Sequence, residues 1–395
     1  MALPTAQVAL PTAAPRRRLL RGPVRRHLRR SLVRVAVLLA VAGLLSAGCG
    51  STTKPARPSP SPTSAAASST SPAPSPAKLA WRRLAPAPSE RTEVTAAAVG
   101  PDVYLIGGYR GDGTTVSTVQ VYDTRRNRWR QGRPLPLAVN HAMAASVGGS
   151  VDVFGGYTAN GTPSASAFRL HHGGWRRLED LPAGRAAGTA VAVADKVYLA
   201  GGIGPGGLAR TMLVFDAAAN RWSSAPGPPT PREHLAGAAA DGKVYTISGR
   251  VRGHGDLGAV ELFDPETARW TALPPLPTPR GGLGATATAN GFVVAVGGEP
   301  SSERTTTFAE ADALDLRTGA WRSLPPMPTP RHGLGVAAIG TAVYTLAGGP
   351  RPGLHVAATA EAIDLAPLRP RPHNARPAGP SVVTRPVGPL HSSRT

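Results

Sequence analysis

Between residues 79 and 365 the chain consists of short apolar runs separated by polar, glycine and proline breaks. Val103-Tyr104-Leu105-Ile106, Val197-Tyr198-Leu199-Ala200 and Val343-Tyr344-Thr345-Leu346 are β-branched and aromatic runs that end in glycine-rich turns. Runs of this length and composition, bounded by turn residues, predict β-strands. Asp264-Pro265-Glu266-Thr267-Ala268-Arg269 has the chemistry of a tight turn between two of them. No spacing of three and four is sustained in this stretch, so no helix is predicted.

The pattern is periodic. The six tryptophans are Trp81, Trp129, Trp175, Trp222, Trp270 and Trp321, at intervals of 48, 46, 47, 48 and 51. A small-residue pair follows each strand-like run: Gly107-Gly108, Gly155-Gly156, Gly201-Gly202, Ser248-Gly249, Gly297-Gly298 and Gly348-Gly349. Ten residues after Trp stands an arginine in five units, namely Arg91, Arg185, Arg232, Arg280 and Arg331, and the second unit reads Asn140-His141 there. Three of these arginines close the same word, Pro-Thr-Pro-Arg. A strand ends in Asp123, Asp216, Asp264 and Asp315, each six residues before a Trp. Each unit therefore reads as four short strands.

A repeat near 50 residues with a glycine pair, an aromatic-Asp pair and then Trp resembles kelch. The resemblance covers about residues 79–365. It implies an all-β fold: a six-bladed kelch-type β-propeller, one four-stranded blade per repeat, each burying its faces only against its neighbours. The last unit has no Trp, and Trp81 has no unit before it. Trp81-Arg82-Arg83-Leu84 is therefore expected to supply the last strand of blade six, closing the ring and protecting its open edge.

Composition changes the picture at the ends. The net charge is +21 and the pI about 11.4, which taken alone suggests a polyanion ligand. Residues 1–78 hold 12 Lys and Arg with no acid, and residues 366–395 hold five Arg with none. Little excess is left for the repeat region, and no nucleic-acid motif accompanies it, so nucleic acid is not an expected partner.

Nine arginines between residues 16 and 34 precede an uncharged, mostly apolar run from Val35 to Gly48, too short to span a membrane comfortably. Residues 1–48 read as a signal peptide. Leu44-Leu45-Ser46-Ala47-Gly48-Cys49 resembles a bacterial lipobox, which implies a lipid on Cys49, the one cysteine in the chain. Arg29-Arg30-Ser31-Leu32-Val33-Arg34 is similar to a twin-arginine export signal. Residues 49–78, rich in Ser, Pro and Ala, are expected to be a disordered tether, and residues 366–395 a disordered basic tail.

Chemistry has few candidates. In the kelch family, arginines at this place commonly line the channel mouth, which makes Arg91, Arg185, Arg232, Arg280 and Arg331, with Asn140 and His141, candidates to grip acidic groups; a residue repeated in nearly every blade can equally be structural. Residues after the glycine pairs differ between blades: Tyr109, Tyr157, Ile203, Arg250, Glu299 and Pro350. Of these Tyr109, Tyr157, Arg250 and Glu299 are ligand candidates, since variation on a common scaffold is where function usually lies. His234 and His332 follow arginines closely and could meet near the axis, but no metal or other cofactor is expected.

The expected function is a monomeric binding module on the outer face of the cytoplasmic membrane, held by its lipid and presenting the propeller to a protein, glycan or wall polymer. Copper radical oxidases of the family need a Cys within the ring, and this chain has none there. A sugar mutarotase-like enzyme acting on an acidic sugar, through Glu233, His234, Glu299 and Arg250, is the alternative, and a structural envelope scaffold a third. A compact carboxylate, His and Arg cluster would favour the enzyme; an open rim of mixed loops would favour the binder.

Overall fold

The computed structural model describes residues 78–302 and 305–368. The expected signal peptide, Cys49, the expected tether up to residue 77 and the expected tail from residue 369 lie outside them. The described residues form six four-stranded antiparallel sheets and two short two-stranded ribbons, with no α-helix among them. The fold is an all-β, six-bladed propeller. In blade 1 the strands run Thr95–Val99, Asp102–Ile106, Val119–Asp123 and Arg128–Gln131, from the axis outward. Blade 6 takes Gly335–Ile339, Ala342–Leu346 and Ala360–Asp364 from the end of the ring and Trp81–Arg83 from its beginning. Trp81 pairs with Ile363 and Arg83 with Glu361, so the expected closing strand is in place.

The repeated residues explain the ring. Among the described residues there are six apolar clusters, and each draws on two neighbouring blades. Val103, Leu105 and Tyr122 of blade 1 meet Tyr344 and Leu346 of blade 6, and Phe154 of blade 2 meets Val197 and Phe215 of blade 3. Each fully buried aliphatic side chain contributes about 1.5–3 kcal/mol, and a blade alone could not bury these faces. Every Trp donates its indole N–H to the carbonyl four residues beyond the Trp of the preceding blade. Trp129 bonds Ala85 at 2.7 Å and Trp222 bonds Glu179 at 3.0 Å. Trp81 bonds Pro325 at 2.7 Å, which completes the circle.

Toward the axis the strands must be narrow. The six innermost strands are almost entirely Ala, Gly, Thr, Ser and Val, and they line an axial channel of about 350 Å³. A Cβ on Gly237 of blade 4 would lie 2.6 Å from Thr189 Oγ1 of blade 3. The glycine pairs close the second strands with left-handed backbone, for example φ 63° at Gly107 and 96° at Gly108. In blade 6 the pair with this geometry is Ala347-Gly348, with φ 56° and 97°. The sequence register of Gly348-Gly349 is thus one residue late, and the residue after the pair is Gly349 rather than Pro350. Gly349 pairs with His332 as Tyr109 does with Thr92.

Candidate functional site: the axial cluster

The five arginines point into the blades. Arg91, Arg232, Arg280 and Arg331 have no solvent exposure, and Arg185 has 6%. Each donates to carbonyls of its own blade and, in four cases, to one side chain on the third strand. Arg331 Nη2 meets Glu361 Oε2 at 2.7 Å, Arg232 Nη1 meets Glu261 Oε2 at 2.6 Å, Arg280 Nη2 meets Asp312 Oδ2 at 3.0 Å, and Arg91 Nη2 meets Gln120 Oε1 at 2.8 Å. The word Pro-Thr-Pro-Arg follows from this. Thr230 and Thr329 donate their hydroxyls to the other carboxylate oxygen of the same glutamate, and Thr230, Thr278 and Thr329 accept from their own arginine. Arg185 has no acid, because Leu213 stands where blade 4 has Glu261, and it bonds only the carbonyls of Leu199 and Thr211. Burial lowers its pKa, and that of Arg91, to about 10.

Blade 2 needs a correction of register. The carbonyl that receives the glycine-pair N–H belongs to Arg185, Arg232, Arg280, Arg331 and Arg91 in five blades and to Val139 in blade 2. Val139 is thus the equivalent of the arginines. Asn140 and His141 stand one and two places further on, where blade 1 has Thr92 and Glu93.

That second place builds the site. Glu93, His141, Ala187, His234, Gly282 and Gly333 all have φ between 50° and 63°. His141 N–H donates to the Glu93 carbonyl, Ala187 to His141, His234 to Ala187, Gly282 to His234 and Gly333 to Gly282. The Val94 N–H then donates to Gly333. Six left-handed residues, one per blade, thus form a hydrogen-bonded hoop around the axis. Three of them, Ala187, Gly282 and Gly333, carry a methyl group or no side chain, and Glu93 occupies the space beside Gly333. A Cβ on Gly333 would lie 2.7 Å from Cδ of Glu93.

The hoop's side chains meet the residues just outside it. Glu93 Oε2 is 3.1 Å from His141 Nε2, and its Oε1 is 3.2 Å from His332 Nδ1. His332 Nδ1 is also 3.3 Å from Glu299 Oε2. Arg250 bridges Glu299 at 2.8 Å and Glu233 at 3.5 Å. Tyr109 and Tyr157 pack edge-on against His141, with ring centroids 6.0 and 5.5 Å away. Glu93 and His141 keep 12% and 13% of their side chains exposed, and Arg250 keeps 20%.

Burial and pairing set the charges. Burial lowers the His141 imidazole to about 4, against the pull of Glu93, and leaves it neutral near pH 7. Burial alone would raise the Glu93 carboxyl, but the His141 charge and the His332 hydrogen bond hold it well below the usual carboxylate range. Since His141 is neutral near pH 7, His332 is the partner that matters there. Burial opposes a charge on His332 too, but Glu93 and then Glu299 raise its pKa. Burial would raise Glu233, but His234 and Arg250 lower it. Tyr109 and Tyr157 are raised, first by burial and then by Glu93 and Glu233 respectively.

Of the sequence candidates, Asn140, His141, Tyr109, Tyr157, Arg250 and Glu299 come together here, with Glu233, His234 and His332. The arginines Arg91, Arg185, Arg232, Arg280 and Arg331 stay inside the blades. Glu93 is central and was not a candidate. Its signal was available: it lies twelve residues after Trp81, as His141 and His234 lie after Trp129 and Trp222.

Residues 93–276 match the KLHDC2/KLHL20/DRC7 kelch-repeats domain. The chain is similar to the kelch-like protein terF of Aspergillus terreus, 30% identical over 176 residues, which are 40% of this chain and 37% of that protein. It thus spans little more than a third of that relative's length. A kelch propeller suggests a protein-interaction module.

Proposed function

We propose that this protein is an exported binding module, held at the outer face of the cytoplasmic membrane by a lipid on Cys49, whose axial mouth engages a protein or glycan ligand. One observation carries the reading. The residues that repeat from blade to blade are spent on packing, whereas those that differ (Tyr109, Tyr157, Arg250, Glu299 and Glu233) converge on the axis. Beyond them stand exposed Arg110, Arg252 and Arg351, one each from three blades, which suit acidic groups on a ligand. The tether gives the propeller reach from the bilayer.

The test has two arms. Mass spectrometry of the protein from membranes reads the Cys49 modification; an unmodified Cys49 in the intact mature chain rules out the anchor. Thermal unfolding against acidic and neutral glycans reads the site. A ligand at 100 times its dissociation constant stabilises by about 2.7 kcal/mol. The shift is expected to disappear in Tyr157→Ala and shrink in Arg252→Ala; a shift that survives both places binding elsewhere.

A second reading, an isomerase acting on an acidic sugar, is favoured by the compact cluster of carboxylates, imidazoles and Arg250. Opening a sugar ring needs an acid and a base near one carbon, and the Glu93–His141 and Glu233–His234 pairs have the chemistry. Against it, Arg250 is held between Glu233 and Glu299 and is not free to grip a sugar carboxylate. Exchange of anomers followed by NMR separates the readings: acceleration lost in Glu233→Gln would establish the enzyme.

A further inference from the structure

The axial cluster contains a contact that packing does not explain. His141 Nε2 and His234 Nε2 lie 3.1 Å apart, and Glu93 Oε2 lies 3.1 Å from the same His141 atom. The neighbours settle where the protons are. Asn140 Nδ2 donates to Thr115 Oγ1 at 2.8 Å and to the Tyr157 carbonyl at 3.3 Å. A carbonyl only accepts, so the amide nitrogen is on that side and the amide oxygen faces His141, 2.6 Å from Nδ1. An amide oxygen also only accepts. The His141 proton is therefore on Nδ1, and Nε2 offers a lone pair. On His234, Glu233 Oε2 stands 3.4 Å from Nδ1 without a formed hydrogen bond, so its proton is held on Nε2 only by the His141 lone pair. Once that proton leaves or moves to Nδ1, two imidazole lone pairs and a carboxylate face one point.

We propose that the propeller axis holds a divalent first-row transition ion, bound by His141 Nε2, His234 Nε2 and a carboxylate oxygen of Glu93. The three donor atoms lie within 4.8 Å of one another. Two ligands at about 2.0–2.1 Å from one ion, separated by 90° to 110°, would be about 2.9–3.4 Å apart, and both 3.1 Å distances fall in that interval. Two imidazoles and one carboxylate suit Zn(II), Fe(II) or Co(II) better than Mg(II) or Ca(II), which prefer all-oxygen sets. An outer partner of the kind a metal site needs is in place at one ligand, where Asn140 orients the His141 imidazole through Nδ1, and Glu233 Oε2 stands 3.4 Å from Nδ1 of the other, His234. The backbone is fixed as well, because all three ligands sit on the hydrogen-bonded hoop. Three protein ligands leave a tetrahedral ion one position for water or for a donor atom of a bound molecule. In the metal-free protein a proton on His234 can bridge the two rings, and the ion displaces it. The inference depends neither on export nor on the ligand proposed above.

The test is metal titration of the full chain, stripped with chelator and carrying Cys49→Ser to remove the thiol. Calorimetry with Zn(II) and visible absorption with Co(II) are expected to show one ion per chain, with no binding of Mg(II) or Ca(II). His141→Ala and His234→Ala should each weaken binding at least a hundredfold, and Asn140→Ala tenfold to a hundredfold. Circular dichroism checks that each variant is folded, and His234→Gln replaces any that is not. The proposal is overturned if neither Zn(II) nor Co(II) binds the stripped chain. It is equally overturned if binding persists in His234→Ala and is lost in His332→Ala, which would move the ion to Glu93, Glu299 and His332.

Discussion

Arg232 and His234 are separated by one residue and live in different surroundings. The Arg232 side chain points away from the axis and is enclosed by its own blade: Glu261, Thr246 and the carbonyls of Thr230 and Ala259 take its donors. His234 points to the axis and meets side chains from two other blades. The same two environments recur around the ring. The blade interior is nearly six-fold symmetric and most of its polar groups are matched within one repeat, with Arg91 Nε and Arg185 Nε as exceptions. The side chains of the mouth have no symmetry, and many of their polar contacts cross between repeats, as from Glu93 to His141 and His332 and from Arg250 to Glu299. His332 Nε2 and His234 Nδ1 are buried without a formed hydrogen bond. Buried polar groups normally have partners, so unmatched imidazoles at the axis mark that spot for function, while Arg232, Arg280 and Arg331, whose nitrogens all have partners, mark the blade interior for stability.

Breaking a matched pair should have the largest effect. Arg331→Met leaves Glu361, which has no solvent exposure, as an unpaired buried charge, and should cost about 3–5 kcal/mol. Urea unfolding measures it. The double variant Arg331→Met with Glu361→Leu should recover most of the loss, since apolar residues of similar volume can replace a buried ion pair. A double variant no more stable than the single one would show that the pair is more than a packing element.

Blade 1 offers a smaller change of opposite sign. Arg91 is buried against the neutral Gln120, so Gln120→Glu supplies a carboxylate with no change in volume. It should raise stability by about 1 kcal/mol, the margin of a charge-assisted over a neutral hydrogen bond, read as a higher urea midpoint. A fall would mean that the new carboxylate's desolvation outweighs the pairing. Blade 3 sharpens the contrast furthest. Arg185 has two carbonyl partners and no acid, so Arg185→Met strands no charge and should cost within about 1 kcal/mol, several-fold less than Arg331→Met. Equal losses would show that the arginines stabilise through the carbonyls rather than through the acids.

The fold was legible because a repeat writes the same physics six times. Trp spacing, glycine pairs and alternating strands each point to one blade, and the unpaired first Trp gives the closing strand. The arginines were legible as a series but not in their role. In four blades their side-chain partners lie about thirty residues on, at the second residue of the third strand, and only the sheet register brings Gln120, Glu261, Asp312 and Glu361 onto them. One-residue slips at Val139 and Ala347 followed from reading by residue type where backbone geometry defines the equivalence.

Blade count, strand order within each blade and the place of ring closure follow from local pattern and from neighbours in the chain, and so can be read from the amino acids alone. The axial cluster needs the closed ring. Glu93, His141 and His234 are 48 and 93 residues apart in successive steps along the chain and share one place in the repeat, twelve residues after a Trp, but no local pattern says that this place faces the axis. They meet because six equivalent left-handed residues are tied into one hoop, which brings that place from every blade to the centre.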